Sequence, residues 1–338
     1  MTQHAPEVSP ELFWQTMTAF QASAALKTAV DLELFTHIGA GKTTAAEIAQ
    51  AAGASERGVR IICDTLTVIG FFTKEDGHYH LTESTAAFLD KKSPMYVGSA
   101  VEFILSPGQR RGYDDLTNAV RRGGSSVTGD ASMDPESEMW VTFARAMAPL
   151  MYPTAQAVAE HIGLEKDREL KVLDIAAGHG IYGIMVAKAY PNAQVYGADW
   201  SNVLTVAKEN AEKMGVADRY HTIPGNAFES DFGTGYDVIL IPNFLHHFDP
   251  NTNEEFLRKI NNALTDGGKV MTVEFVPNDD RISPPPSAMF SLVMLAATPA
   301  GDAYTYSELK SMFENAGFTN HEIVELHPMP QHLIISTR

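Results

Sequence analysis

"VLDIAAGHGIYG", residues 172–183, joins an apolar, strand-like run to a glycine-rich turn. Its tail, Gly178-His179-Gly180-Ile181-Tyr182-Gly183, fits G-x-G-x-x-G, the turn that opens a dinucleotide-binding βαβ unit. Asp174 stands four residues before the first of these glycines, with Ala176 and Ala177 between. A carboxylate beside the loop opposes a dianionic pyrophosphate and favours an ammonium. The pattern alone leaves both kinds of ligand open, and glycines that merely permit a tight turn read the same way.

From this loop onward the pattern alternates. Strands are predicted at 171–177, 194–200, 220–226, 236–243 and 269–276, with helices between them such as 201–215 and 253–264. Such alternation builds a doubly wound α/β sheet. Two further strands, 321–327 and 332–338, are joined by a turn holding Pro328 and Pro330. They are too close for a crossover helix, so this pair is antiparallel.

Residues 10–165 read instead as helices. Ser9-Pro10-Glu11-Leu12 resembles a helix start, Thr44 begins a short helix that Gly53 ends, and a second helix runs through Ile61, Leu66 and Ile69. "FFTKEDGHYHLT" reads as a hairpin across Asp76-Gly77. Two helices and a hairpin are the elements of a winged helix. The chain is therefore divided into a helical, winged-helix-like domain, 1–165, and an α/β domain, 166–338.

Composition narrows the partners. Lys and Arg number 25 against 42 Asp and Glu, a net charge of −17, which repels nucleic-acid backbones. The mixed face of Glu56, Arg57, Arg60 and Asp64 argues the same way. The single cysteine, Cys63, forbids an internal disulfide and reads as a buried small hydrophobe. The N-terminus has no signal-peptide pattern, and no run approaches the roughly 18 apolar residues of a membrane span. A soluble, cytoplasmic protein without a membrane partner is expected. The apolar N-terminal helices exceed what one small domain covers, which predicts a homodimer.

Ligands of open α/β sheets sit at the carboxyl ends of the strands. Asp199 ends the second strand, where a carboxylate can accept both ribose hydroxyls, and Asn226-Ala227-Phe228 follows the third with an amide and a ring suited to adenine.

With these residues the chain resembles the class I S-adenosylmethionine (SAM)-dependent methyltransferases. It is most similar to the two-domain small-molecule O-methyltransferases of the plant caffeate and bacterial natural-product type. The resemblance rests on "VLDIAAGHG", "VYGADW", "IPGNAFE", "LHHFD" and "LTDGGKVMTVEFV" in that order, and covers nearly the whole chain. It implies a Rossmann-like sheet of seven strands with the last antiparallel, an N-terminal all-α winged-helix dimerisation domain, SAM as cofactor and no metal. It implies that Asp174, Ala176 and Gly178 lie against the methionyl part, Asp199 on the ribose, and Trp200, Asn226, Ala227 and Phe228 around the adenine, with Gly180 and Asn243 also on the cofactor. Ala176 stands where the family usually has the loop's first glycine.

The resemblance also implies that His246 is the general base, while His247 falls where plant members often have aspartate. Glu274 aligns with one of two acids that flank the base. The other position is Ala303, so Asp302 takes that role only after a one-residue shift. The acceptor pocket is expected between the domains, lined by Phe143 and Met147 from 140–152 and by Phe290, Val293 and Met294 from 288–299. Each of these fits plain helix core equally well. The expected activity is methyl transfer to a hydroxyl of a small, aromatic or natural-product acceptor. C- or N-methylation, non-methylating SAM chemistry, a winged-helix regulator with a vestigial SAM domain, and an NAD oxidoreductase remain alternatives.

Overall fold

The computed structural model describes residues 8–126 and 137–338, which fall into two compact units dividing between Leu105 and Ser106. The first unit holds helices α1 (Glu11–Asp31), α2 (Leu34–Gly39), α3 (Ala45–Ala52) and α4 (Glu56–Ile69), the strands β1 (Phe72–Glu75) and β2 (His78–Leu81), then α5 (Glu83–Phe88) and α6 (Ala100–Ile104). Thr44 caps α3 as predicted. Its hydroxyl accepts the Glu47 N–H, and the Glu47 carboxylate accepts the Thr44 N–H at 3.0 Å, a reciprocal capping box. Gly53, at φ +61°, ends the helix. Strands β1 and β2 pair antiparallel across Asp76 and Gly77, both in the left-handed region at φ +48° and +83°. The unit is therefore not all-α. Leu34, Phe35, Ile48, Cys63, Leu66 and Phe72 form its core, and burial pushes the Cys63 thiol up to about 12. Helix α1 leaves Leu12, Phe13, Trp14, Met17 and Phe20 exposed.

The second unit begins with α7 (Pro107–Asp114), α8 (Leu116–Arg122) and α9 (Glu138–Glu160). Then follow β3 (Leu170–Ile175), α10 (Ile181–Ala189), β4 (Ala193–Asp199), α11 (Val203–Lys213), β5 (Tyr220–Pro224), β6 (Tyr236–Pro242), α12 (Pro250–Ala263) and β7 (Leu264–Glu274). It closes with α13 (Pro285–Ala297), α14 (Tyr306–Asn315), β8 (Thr319–Glu325) and β9 (His332–Thr337). The seven strands lie in the order β5-β4-β3-β6-β7-β9-β8, with β9 antiparallel to both neighbours. All seven strands predicted in this half are present.

Side chains alternate along β3, so Val172 enters the core beneath α9 and α10 while Leu173 enters the core beneath α12 and α14. Both faces are covered, as a parallel sheet requires. The unit boundary falls well before the predicted change at 165/166. Helix α9 carries Ala155, Val158 and Ala159 into the same core as Ile184 and Ala187 of α10, and its periodicity says nothing about which core it joins. Among the described residues no helix is long and apolar enough to cross a membrane. The chain order reverses between β3 and β6, and there the carboxyl ends open the switch-point crevice.

Candidate active site

The loop after β3 is held by its own backbone. Ala176, Gly178 and Gly180 adopt left-handed φ of +49°, +56° and +74°. The Ala177 N–H donates to the Ala198 carbonyl at 3.1 Å. The Gly178 N–H donates to Asp199 Oδ2 at 2.8 Å, and the Trp200 N–H to Asp199 Oδ1 at 2.7 Å. Asp199 thus ties the two strand ends together, and burial raises its carboxyl to about 6 against the pull of those two amides. Gly180 starts α10, where a Cβ would lie 2.9 Å from both Ala207 Cβ and the Tyr220 hydroxyl. At Gly183 a Cβ would meet Val195 Cγ1 at 2.7 Å and Asp174 Oδ2 at 2.9 Å, so close helix–strand packing requires this glycine.

Asp174 does not do what its position suggested. Its side chain is wholly buried beneath the loop, where Oδ2 accepts the Gly183 N–H at 3.0 Å and Oδ1 has no partner among the described residues. Burial, with the Asp199 charge adding to it, raises the carboxyl to about 8. At neutral pH it is therefore mainly protonated and presents little negative charge to a ligand. His179, between the glycines, is also buried and stays neutral, its pKa lowered by burial to about 4. Its Nδ1 accepts the Ile181 N–H at 3.1 Å.

Beside the loop lies a cavity of about 370 Å³. Its wall includes Ala176, Gly178, Asp199, Trp200, Asn226, Ala227 and Phe228, which the sequence placed on the cofactor. Asn226 Oδ1 accepts the Phe228 N–H at 3.0 Å, which sets the turn that carries the ring. Trp140, Phe143, Tyr182, Asn243, His247 and Thr298 line it as well. Every wall residue lies between 140 and 300, so the cavity belongs to the second unit alone.

The segment after β6 supplies the nitrogen chemistry. Asn243, at φ +52°, donates its N–H to the Val273 carbonyl at 2.7 Å and begins a tight turn through Leu245–His247. Asparagine tolerates this conformation better than most residues. Glu274, at the end of β7, organises the turn. Its Oε1 accepts the N–H groups of Phe244, Leu245 and His246 at 3.1, 2.9 and 3.4 Å, while Oε2 bonds His246 Nδ1. The pair is buried, and among the described residues His246 Nε2 has no hydrogen-bond partner. His246 stands just behind the cavity wall, which its neighbour His247 forms.

Other predicted residues lie elsewhere. Asp302 pairs with Arg281 at 3.1 Å and takes the Ala303 N–H, so it does not reach His246. Phe290 packs its ring edge-on to His246 at 4.9 Å and stacks on Phe275 at 4.0 Å, outside the cavity. Met147, Val293 and Met294 do not line it either; Met151 and the segment Thr298-Pro299-Ala300, just past α13, take those places. Trp140, Met151, His179, Tyr182 and His247 are wall residues that sequence reasoning missed. Trp140 and Met151 could have been found by extending the helical stripe through Phe143. His179 sits inside the opening motif.

Residues 113–319 match the O-methyltransferase domain family, and residues 14–91 match the O-methyltransferase dimerisation domain. The chain is 27% identical to the 3-hydroxy-5-methyl-1-naphthoate 3-O-methyltransferase of Streptomyces sahachiroi, over 91% of this chain and 89% of that one. It is 26% identical to the S-adenosyl-L-methionine-dependent methyl transferase PigF of a Serratia strain, over 95% and 94% of the two chains. The crystal structure of a Nostoc punctiforme protein, described as a candidate O-methyltransferase, superposes with a TM-score of 0.93 at 51% identity, covering 98% of this chain and 100% of that one.

Proposed function

The chain belongs to the O-methyltransferase family and is a SAM-dependent enzyme; from that premise we propose that it methylates a hydroxyl of a small, flat aromatic acceptor, with His246 as general base and Glu274 orienting it. The observation that carries this reading is the buried Glu274–His246 pair beside a cavity that the glycine loop lines.

The residues present suit the cofactor. The cavity is of ligand size, its wall carries the Asp199 carboxylate, and Asn243 Oδ1 is a buried acceptor without a partner among the described residues. Ala176 and Gly178 would border the methionyl part, Asp199 would accept from the ribose hydroxyls, and Asn226, Ala227 and Phe228 would enclose the adenine. When bound, the cofactor supplies a methyl group activated on a sulfonium.

The remaining work falls to the chain. An ionised Glu274 would accept a hydrogen bond from His246 Nδ1–H, which leaves Nε2 as an acceptor for the hydroxyl proton. As that proton arrives, Glu274 stabilises the imidazolium. The acceptor's contact with Nε2 is one that tightens on binding, since His246 stands behind the wall before an acceptor arrives. Phe143, Trp140 and Phe244 exclude water and favour a planar ring.

The test is transfer of labelled methyl from SAM. His246→Ala is expected to lower kcat about 10²–10⁴-fold while keeping cofactor affinity; full turnover by the variant would remove the base assignment. The dimerisation-domain match and the exposed face of α1 support a homodimer. Light scattering that finds only single 36.9 kDa chains at working concentration would overturn that part.

A further inference from the structure

The turn after β5 is supported from outside the cavity. Gly225, Asn226, Ala227 and Phe228 line the wall, while the carbonyls of Ala227, Phe228 and Ser230 all accept from one group, Lys259 Nζ, at 2.9, 3.0 and 2.6 Å. Three acceptors take three donors, so the amine is an ammonium with every N–H spent on main chain. Lys259 does not itself line the cavity. It also leaves the nearby carboxylates to other partners. Glu229 Oε1 accepts from Asn226 Nδ2 at 3.3 Å, and Asp231 Oδ1 accepts the Gly233 N–H at 2.8 Å. The ammonium lies 4.3 Å from the centre of the Phe232 ring.

Helix α12 carries this lysine three residues after Phe256, which is itself three after Asn253, a spacing that makes each pair neighbours on the helix surface. Phe256 packs against Phe228 and Phe244, each at 5.1 Å between centroids. Asn253 Nδ2 donates to the carbonyls of Leu245 and Phe248 at 2.9 and 3.2 Å. One helix thus grips two turns by their main-chain carbonyls, the turn after β5 through Lys259 and the turn after β6 through Asn253. The second of these carries His246, so α12 fixes the separation between the turn that borders the adenine and the turn that bears the base.

We infer that Lys259 is a positioning residue for the cofactor: its ammonium holds the turn at 225–230 where Ala227 and Phe228 meet the adenine, and ties that turn through α12 to the one bearing His246. This rests on the reading that the turn encloses the adenine. The role is one of geometry. A positive charge near the site opposes a cationic cofactor, so removing it would favour binding if charge alone mattered. The turn's own bonds, from the Phe228 N–H to Asn226 Oδ1 and from the Glu229 and Ser230 N–H groups to the Asn226 carbonyl, shape it locally but do not attach it to the rest of the domain.

The test uses the full chain and S-adenosylhomocysteine, which lacks the sulfonium charge, with affinity read by calorimetry. Lys259 is half-buried, so water can reach the three carbonyls once the ammonium is gone, and Lys259→Met should fold. It is expected to bind the probe at least about tenfold more weakly than the wild type, the value of a hydrogen bond to a charged group. In the cofactor-free variant, hydrogen exchange should quicken at the amides of 226–231 and little elsewhere. Arg258→Met is the control. Arg258 is exposed on the same helix and pairs with Glu254, and its loss removes the same charge without touching either turn. It should change affinity by no more than about twofold. A Lys259→Met protein that binds the probe as Arg258→Met does overturns the inference, and so does exchange that quickens equally throughout the α/β domain, which would mark a general loss of stability. Phe228→Ala tests the underlying reading. If it weakens binding while Lys259→Met does not, the adenine reading stands and the inference falls; if both leave affinity unchanged, the turn does not hold the adenine and both fall.

Discussion

Two turns close the same cavity from either side of the switch point, one after β3 and one after β6, and each is backed by a buried carboxylate. Each also starts on a non-glycine residue in the left-handed region, Ala176 at φ +49° and Asn243 at φ +52°. The carboxylates differ in their partners. Among the described residues Asp174 receives one amide and keeps one oxygen unpaired, while Glu274 receives three amides and the His246 ring. A buried carboxylate needs donors to remain ionised, and with a single one Asp174 is driven toward its protonated form. The loop after β3 is thus a backbone cradle whose acid fills space and holds α10. The turn after β6 is a side-chain device whose acid sets the state of a histidine.

The largest break in this comparison comes from Glu274→Gln. The variant can still accept the three amides through its oxygen, but its NH₂ group would face His246 Nδ1. That reverses the tautomer, places the proton on Nε2 and removes the acceptor the hydroxyl needs. A fall in kcat of roughly 10³–10⁴-fold is expected, with cofactor affinity little changed by calorimetry. A fall in cofactor affinity that matched the fall in kcat would mean that Glu274 supports the whole site rather than the base.

On the other side of the switch point the effect should be one of binding. Asp199→Asn keeps the side-chain shape but loses the charge. It should weaken SAM binding by roughly 10–100-fold at pH 7.5, the value of a hydrogen bond to a charged group. Because the wild-type carboxyl titrates at about 6, wild-type affinity should fall as pH drops from 7 to 5, and the variant should be flat across that range. Equal pH profiles would exclude Asp199 as the titrating group.

The comparison also explains what could be read from the chain in advance. The seven strands and the antiparallel close were legible because period-2 and period-3.6 patterns and turn lengths are local. The Glu274–His246 pairing came from resemblance, since the two residues lie far apart in sequence. Depth was not legible. Asp174 looked like a charge facing the ligand, yet spacing cannot say that the side chain points under the loop into a place where the charge is lost. Rotation was not legible either. The stripe of Phe290, Val293 and Met294 was correctly helical, but the cavity is walled by Thr298 and Pro299 just beyond that helix. Asp302 stood next to the aligned position and pairs with Arg281 because a one-residue shift turns the side chain outward.

The smallest effect concerns Asp174 and bears directly on why the two carboxylates differ. In the unfolded chain its carboxyl ionises near 3.9, while in the folded protein it holds its proton up to about 8. Between those values the folded state binds a proton that the unfolded state has lost. The contribution to stability is therefore full below about pH 4 and drains away as pH rises through about 8. Asp199 acts with the same sign but is finished above about 6. Buried histidines such as His179, which lose their proton near 6.5 only when unfolded, act with the opposite sign and equally in wild type and variant, so the difference between the two proteins from pH 6.5 to 8.5 isolates Asp174. Over that interval the stability of the cofactor-free Asp174→Asn protein to urea should rise by roughly 1–2 kcal/mol relative to the wild type. The variant accepts the Gly183 N–H as before, and any fixed penalty from its unpaired NH₂ cancels when each protein is compared with itself at the two pH values. Identical slopes would mean that Asp174 is ionised in the folded state. It would then face the cofactor loop as a charge, and the two turns would be backed by the same kind of group.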